Sequence, residues 1–306
     1  MLRHEPDRRQ FLQASAAGLL ALGVSLEGMQ AARPMPLQIS LAQWSLHRSL
    51  RSGDLAHLDF AKVTKRDYGL DAVEYVNSFF KDHVSQAGYV ADMKKRADDE
   101  GVRSLLIMVD GEGAIGDADA KKQTKAIEAH RKWLDAAKEL GCHSIRVNAQ
   151  SSGTWTEQRD RAADGLHRLS QLGDALGLHV LVENHGGLSS NGRWLAETIR
   201  KANHPRCGTL PDFGNFRVRG EEWYDRYVGM ADLLPYAKAV SAKSHEFDDT
   251  GREVNTDFLR VMKLVMESGY RGYVGIEYEG SKHTEKEGIL LTKQLLLRTI
   301  EDLKPK

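Results

Sequence analysis

The sequence has few cysteines, few prolines, no excess of charge of either sign and no long hydrophobic run. Its 306 residues include 2 Cys, which excludes a disulfide scaffold and a four-cysteine zinc site. With 7 Pro and 28 Gly, a collagen-like or low-complexity chain is excluded as well. The 43 basic residues equal the 43 acidic ones, whereas nucleic-acid binders usually carry a basic excess. These absences leave a well-packed globular protein, 41% hydrophobic, with no predicted nucleic-acid partner.

The first 33 residues form a segment of a different kind. Arg8 and Arg9 precede an apolar run over 14–26, which is shorter than the roughly 20 residues that cross a bilayer. The arginine pair and the Gln-Phe-Leu that follows resemble a twin-arginine export signal. We therefore predict a signal peptide over 1–33, a periplasmic or extracytoplasmic mature protein, and no stable membrane insertion. A disordered tail with a chance arginine pair is the alternative.

Beyond residue 36, short β-prone apolar runs alternate with longer stretches whose apolar residues recur every three or four positions. This pattern of apolar residues predicts strands that alternate with amphipathic helices. The eight predicted strands cover residues 37–42, 72–76, 102–109, 144–147, 179–182, 207–210, 239–242 and 273–276. The clearest helical stretches cover residues 119–140, 157–176 and 257–268.

Eight such units in about 270 residues predict an α/β fold of one type, a (β/α)8 TIM barrel. We expect a single barrel domain over 37–304. A doubly wound open sheet is the alternative, but that fold does not require eight units. No G-x-G-x-x-G follows the first strand, so the sequence does not support a dinucleotide site.

A polar residue closes each predicted strand, at spacings close to one β/α unit. These residues are Gln43, Glu74, Asp110, Asn148, Glu183, Asp212, His245 and Glu277. Because the carboxyl ends of barrel strands meet at one mouth, we expect the eight side chains to ring one opening. Fold stability alone does not call for acids there, since buried carboxylates are costly without a cation or hydrogen bonds.

The last four of these residues predict a metal site. Three carboxylates and one imidazole, from Glu183, Asp212, His245 and Glu277, suit one divalent ion. The carboxylate excess favours Mn²⁺ or Mg²⁺, and Co²⁺ or Zn²⁺ would also accept such ligands. The alternative is that each acid caps a helix or pairs with a lysine.

The same four residues resemble the xylose isomerase-like barrels of the sugar phosphate isomerase/epimerase family. Residues 68–74, which end in Glu74, are similar to that family's second-strand motif. The resemblance implies that the four residues hold one divalent metal and that Glu183 and Glu277 also exchange protons with a carbon next to a carbonyl. One position departs from it, because many members have Asp-x-x-His where this chain has Asp212 and Asn215.

Five further residues are candidates for binding substrate: Glu74, Asn148, His185, Asn215 and Lys243. Glu74 and Asn148 close strands and could bind hydroxyl groups. His185 lies two residues beyond Glu183, so both project to one side if the strand continues. Lys243 could bind a substrate oxygen, or it could be a buried partner for an acid.

These residues predict a metal-dependent isomerase or epimerase that acts on a keto-sugar or cyclitol through an enediolate. The alternative for the same site is a lyase or dehydratase that expels a β-leaving group from a keto-sugar or keto-glycoside. A phosphodiesterase is disfavoured by the balanced charge, and a non-catalytic sugar-binding barrel remains a fourth reading. A homo-oligomer is compatible with the resemblance, since related barrels often dimerise or tetramerise.

Overall fold

The computed structural model describes residues 37–304, whose main sheet contains eight parallel strands. Each strand is short and rich in buried apolar residues, as expected where helices cover the sheet. The strands are β1 (Gln38–Ala42), β2 (Ala72–Val76), β3 (Arg103–Met108), β4 (Ser144–Val147), β5 (His179–Glu183), β6 (Cys207–Leu210), β7 (Val240–Ser244) and β8 (Tyr273–Tyr278).

The strands are arranged as a barrel. They pair in the order β6-β5-β4-β3-β2-β1-β8-β7, all in parallel. Two parallel bridges, Thr209 with Ala237 and Asp212 with Ser241, link the two remaining edges. The backbone N–H of Ser241 donates to the carbonyl of Pro211 at 2.9 Å across this seam. The predicted barrel is therefore confirmed.

At least one helix follows each of the eight strands. The helices are α1 (His47–Ser52), α2 (Phe60–Tyr68), α3 (Tyr89–Asp99), α4 (Ala120–Ala129), α5 (Arg131–Leu140), α6 (Trp155–Ala175), α7 (Gly192–Ala202), α8 (Arg226–Leu233), α9 (Phe258–Glu267) and α10 (Glu285–Asp302). The longest, α6, begins at a capping box in which Thr154 and Glu157 satisfy each other's free backbone N–H groups. A two-stranded hairpin pairs Arg217–Arg219 with Glu222–Trp223.

The core has two parts. The larger part packs the helices onto the outer face of the sheet, around side chains such as Trp133 and Trp194. The smaller part includes Val76, Leu181 and Leu210, each of which lies two residues from a polar side chain at the mouth. Because side chains two apart on a strand share a face, this second cluster lies on the same face of the sheet as those polar side chains.

The predicted strands agree with the observed ones to within two residues at each end. The predicted helix over 119–140 is two helices, α4 and α5, because His130 interrupts it. The ring nitrogen Nδ1 of His130 lies 2.7 Å from the carbonyl oxygen of Ala126, the group to which its own backbone N–H would donate in a continuous helix. That N–H donates to Ile127 instead.

Two predictions concern the membrane and export. Within residues 37–304, no helix combines the length and the apolar character that a transmembrane span requires. The predicted signal peptide over 1–33 lies outside the described residues, so it stays a prediction.

Candidate active site

Three carboxylates meet at the mouth of the barrel. Glu183 ends β5, Asp212 follows β6 by two residues, and Glu277 lies near the end of β8. One oxygen from each lies within 4.8 Å of the others, and the three side chains are almost completely buried. Three of the four residues predicted as metal ligands are therefore brought together. We call Glu183, Asp212 and Glu277 the acidic triad.

Ser241 lies between two members of the triad. Its hydroxyl oxygen is 2.8 Å from Asp212 Oδ2 and 2.9 Å from Glu277 Oε2. A hydroxyl carries one hydrogen, so it can donate to only one of the two carboxylates at a time. The other oxygen of Asp212 accepts from the backbone N–H groups of Gly214 (2.7 Å) and Asn215 (2.8 Å), which fixes its rotamer.

Arg146, on β4, brings a buried positive charge to Glu183. Its Nε lies 2.9 Å from Glu183 Oε2, although the two groups are not aligned for a hydrogen bond. Its Nη1 donates to Asp110 Oδ1 at 2.7 Å. The other oxygen of Glu183 accepts from Asn215 Nδ2 at 2.9 Å, so Asn215 contacts the triad at the position where the family pattern has histidine.

Lys243, on β7, brings a second buried charge, with 3% of the residue exposed. Its Nζ lies 3.1 Å from Glu277 Oε1 and 3.3 Å from Glu279 Oε2. Burial would lower the pKa of Lys243, but the surrounding carboxylates outweigh it and raise that pKa well above its ordinary value. Lys243 is therefore charged.

The triad holds more acid than these two cations balance. Burial raises the pKa of Glu183 to about 7, although the charge of Arg146 opposes this shift. Burial likewise raises the pKa of Asp212 to about 7 against the charge of Lys243. Carboxyl groups tuned towards neutrality can accept or donate a proton at physiological pH.

The triad fits a divalent cation. Three carboxylate oxygens lie close enough to share one ion, and carboxylates are the ligands that hard cations prefer. One of those carboxylates, from Glu183, carries a buried oxygen, Oε2, that lies 2.9 Å from Arg146 Nε but has no hydrogen-bond partner among the described residues. The acidic triad could therefore hold a metal ion, with a fourth buried carboxylate, Glu74, nearby.

His245, the fourth residue predicted as a ligand, is not brought into this group. It lies four residues beyond Ser241, roughly 13 Å further along an extended chain at about 3.3 Å per residue. The strand ends at Ser244, and the backbone N–H of His245 donates to Glu253. The ring is 40% exposed, and its Nε2 lies 3.7 Å from Glu279 Oε2. The contact with Glu279 raises the pKa of His245.

Glu74 is buried beside the triad, although it is the middle residue of β2 and not, as the sequence pattern predicts, its last. Its Oε1 accepts from the Ser40 hydroxyl at 2.6 Å, and its Oε2 has no partner among the described residues. The carboxylate packs against Gly275, where an added Cβ would lie 2.5 Å from Oε1. Burial raises the pKa of Glu74 to about 7.

We expect Glu74→Gln to change how stability depends on pH. Between pH 4.5 and about 7 the folded protein keeps a proton on Glu74 that the unfolded chain has lost, so its free energy of unfolding falls as pH rises through this window. Glutamine cannot ionise, so the stability of the variant relative to the native protein should rise by up to about 3 kcal/mol across the window. Urea unfolding with chelator present measures this, with Glu267→Gln on the exposed face of α9 as control. A pH-independent difference would contradict the assignment.

The other two predicted substrate residues lie on the neighbouring part of the mouth. Asn148 Nδ2 donates to Asp110 Oδ1 at 2.6 Å, and Asn148 Oδ1 is buried without a partner among the described residues. His185 is exposed just beyond β5, where its backbone N–H donates to Ser189 Oγ at 3.2 Å. Both line one polar cavity.

Sequence reasoning missed two residues that contact the triad, Arg146 and Ser241. Arg146 stands inside a four-residue strand whose side chains are all buried, and a charged residue in such a strand is a usable signal. Ser241 carries a weaker signal, because an uncharged serine in a buried strand needs only one hydrogen bond, whereas a buried arginine needs a partner of opposite charge. The alternation of side chains along a strand would have identified Ser241, because it lies two residues before Lys243 and therefore shares its face of the sheet.

This chain is similar to several known proteins. A curated relative, the C-glycoside deglycosidase alpha subunit of Arthrobacter globiformis, is 33% identical over 91 residues. That match covers 28% of this chain and 24% of the relative, so this chain spans about a quarter of that protein's length.

Solved structures share the fold at low sequence identity. The IOLI protein with a bound zinc atom superimposes with a TM-score of 0.69 at 13% identity, covering 88% of this chain and 100% of that one. The 3-keto-D-glucoside 4-epimerase YcjR of E. coli gives a TM-score of 0.65 at 15% identity, covering 86% and 99%. Residues 64–299 match the family described as xylose isomerase-like TIM barrel. The chain therefore belongs to the xylose isomerase-like TIM-barrel family.

Proposed function

We propose that this protein is a divalent-metal-dependent sugar isomerase or epimerase that moves a proton at a carbon next to a carbonyl. The observation that carries the proposal is the acidic triad, Glu183, Asp212 and Glu277, buried at the barrel mouth. A bound divalent cation would polarise the carbonyl and a neighbouring hydroxyl of the substrate. The carboxylate ligand set favours Mn²⁺ or Mg²⁺.

In this proposal the two glutamates serve opposite faces of a bound sugar. Glu183 and Glu277 come from β5 and β8, which are separated by β6 and β7 around the barrel. A carbon held between them would have a carboxylate on each side. One removes the proton as base, and the other donates a proton to the opposite face, which inverts the centre.

Neighbouring residues would support this transfer. Lys243 lies 3.1 Å from Glu277 and keeps its own proton, so it can donate a hydrogen bond to an oxygen that becomes negative. Glu279 and the partly exposed His245 continue the contacts from Lys243 towards solvent. Burial opposes ionisation of Glu279, but His245 and Lys243 lower its pKa to about 2.

Exchange of substrate hydrogen with solvent tests the proposal. The metal-loaded protein is incubated in D₂O with a panel of ketoses that includes D-fructose and D-tagatose, and the products are read by NMR. We expect deuterium at the carbon next to the carbonyl, together with the isomer or epimer that inversion or transfer produces. A panel that shows neither exchange nor a new sugar would count against the function.

A lyase acting on a keto-glycoside is the second candidate, and the partial likeness to a C-glycoside deglycosidase subunit favours it. Proton removal next to a ketone is shared by both reactions, and they differ in whether a β-substituent then leaves. Incubation with a 3-keto-glucoside of p-nitrophenol separates them. Release of nitrophenolate supports the lyase, whereas deuterium exchange without release supports the isomerase or epimerase.

We also propose export to the periplasm or beyond, on the basis of the arginine pair in the first 33 residues. Cell fractionation of the full chain tests it. Replacement of Arg8 and Arg9 by lysine should hold the protein in the cytoplasm, and an unchanged distribution would contradict the proposal.

A further inference from the structure

The polar cavity lined by Asn148 and His185 lies on the side of β4 and β5. It has a volume of about 550 Å³ and lies between the loops that follow these two strands. Pockets of about 300–1,000 Å³ are the usual size for holding a complete small ligand. Its lining includes the side chains of Asn148, Gln150, Gln158, His185 and Ser189.

Asn148 connects this cavity to the triad. Its Nδ2 donates to Asp110 Oδ1 at 2.6 Å, and the same oxygen accepts from Arg146 Nη1 at 2.7 Å. Arg146 in turn lies 2.9 Å from Glu183. A chain of side-chain contacts therefore joins the cavity wall to the triad.

Asn148 also offers a free hydrogen-bonding group at the cavity wall. Its Oδ1 is buried and has no partner among the described residues. A buried acceptor without a partner costs free energy unless a ligand or water satisfies it. The hydroxyl group of a bound sugar would do so.

The lining selects against anions. Among residues 37–304, none that lines the cavity is a lysine or arginine, and Asp117 adds an acid to it. Phosphate groups are normally bound by arginine, lysine or clusters of backbone N–H groups. The amide and hydroxyl side chains here instead offer the mixed donors and acceptors that match neutral sugar hydroxyls.

We propose that this cavity is a subsite for a second, neutral, hydroxyl-rich unit, so that the substrate is a disaccharide or glycoside rather than a free monosaccharide or a sugar phosphate. The reacting unit would lie at the triad, and this part rests on the proposed function. The second unit would lie against Asn148 and Gln158.

Binding measurements on the metal-loaded native protein test the subsite without requiring turnover. The probes are D-fructose, fructose 6-phosphate, and three ketose disaccharides that differ in linkage: lactulose, turanose and isomaltulose. We expect at least one disaccharide to bind about tenfold more tightly than fructose, because the second unit adds contacts. Fructose 6-phosphate should bind no more tightly than fructose.

A variant that fills the cavity tests whether the preference for disaccharides arises there. Ser152 is exposed and lines the cavity, so Ser152→Trp should fill it without disturbing a buried contact. The variant should lose the disaccharide preference and keep its affinity for fructose. Ser268→Trp, at the exposed end of α9 on the opposite side of the barrel, is the matched control and should bind all probes like the native protein.

The proposal is overturned if no disaccharide binds more tightly than fructose, if fructose 6-phosphate binds best, or if Ser152→Trp leaves the disaccharide preference intact. Failure of the proposed reaction is distinguishable from these results. It would appear as absent solvent exchange while the pattern of sugar binding persisted.

Discussion

Glu183→Gln and Glu277→Gln should each lower the rate of substrate–solvent proton exchange by about 10²–10⁴-fold, the range that general acid–base catalysis contributes. Glutamine keeps the size of the side chain and one carbonyl oxygen but cannot take up a proton. Glu183→Gln should also weaken metal binding, because it removes one charged ligand. The measurement is deuterium incorporation by NMR, with unfolding midpoints recorded to confirm that both variants fold.

The two variants should also differ from each other in an epimerase. If each glutamate serves one face, a variant loses net inversion but keeps slow exchange from the epimer whose hydrogen faces the remaining glutamate. Glu267→Gln, a similar change on an exposed helix, should leave the rate unchanged. Near-native exchange in both site variants would show that the glutamates are not the acid and base.

Arg146→Met should destabilise the protein by about 3–5 kcal/mol, because it leaves a buried carboxylate without its cation. The guanidinium is 5% exposed and contacts both Glu183 and Asp110. Methionine fills similar space but carries no charge. The loss in the free energy of unfolding is therefore due to the missing charge and not to a cavity. Denaturant unfolding at pH 8 measures it, and the loss should shrink at pH 5.5, where Glu183 is protonated.

Two further variants make this prediction specific. Arg219→Met breaks an exposed pair with Glu222 and should cost less than about 1 kcal/mol. The double variant Arg146→Met/Glu183→Gln should recover part of the stability, because the stranded charge is gone. A single variant as stable as the native protein would show that Arg146 does not compensate Glu183.

The fold could be predicted from the sequence because each unit carries its own signal. Alternating apolar runs located all eight strands, and regular spacing gave the barrel. The break at His130 was missed because it depends on one side chain bonding to the backbone of Ala126. The spacing of apolar residues carries no information about a side chain that competes with the backbone for a carbonyl group.

The acidic triad could be predicted for the same reason, since the carboxyl ends of barrel strands meet at one mouth. His245 shows the limit of that reasoning. It closes the seventh apolar run, but the barrel brings Ser241 and Lys243 to the level of the acids. Strand register relative to neighbours sets the height of each side chain, and one sequence does not contain the register.

Analysis of bound metal tests whether Glu183, Asp212 and Glu277 together hold one divalent ion. Protein purified without chelator, and protein reloaded with Mn²⁺, Mg²⁺, Co²⁺ or Zn²⁺, is analysed for bound metal beside Asp212→Asn, which keeps the turn hydrogen bonds of Asp212 but removes its charge. The account predicts about one ion per chain in the native protein and at least roughly tenfold weaker binding in the variant. A native protein that retains no ion under any of these conditions, or a variant that binds as tightly as the native protein, would contradict it.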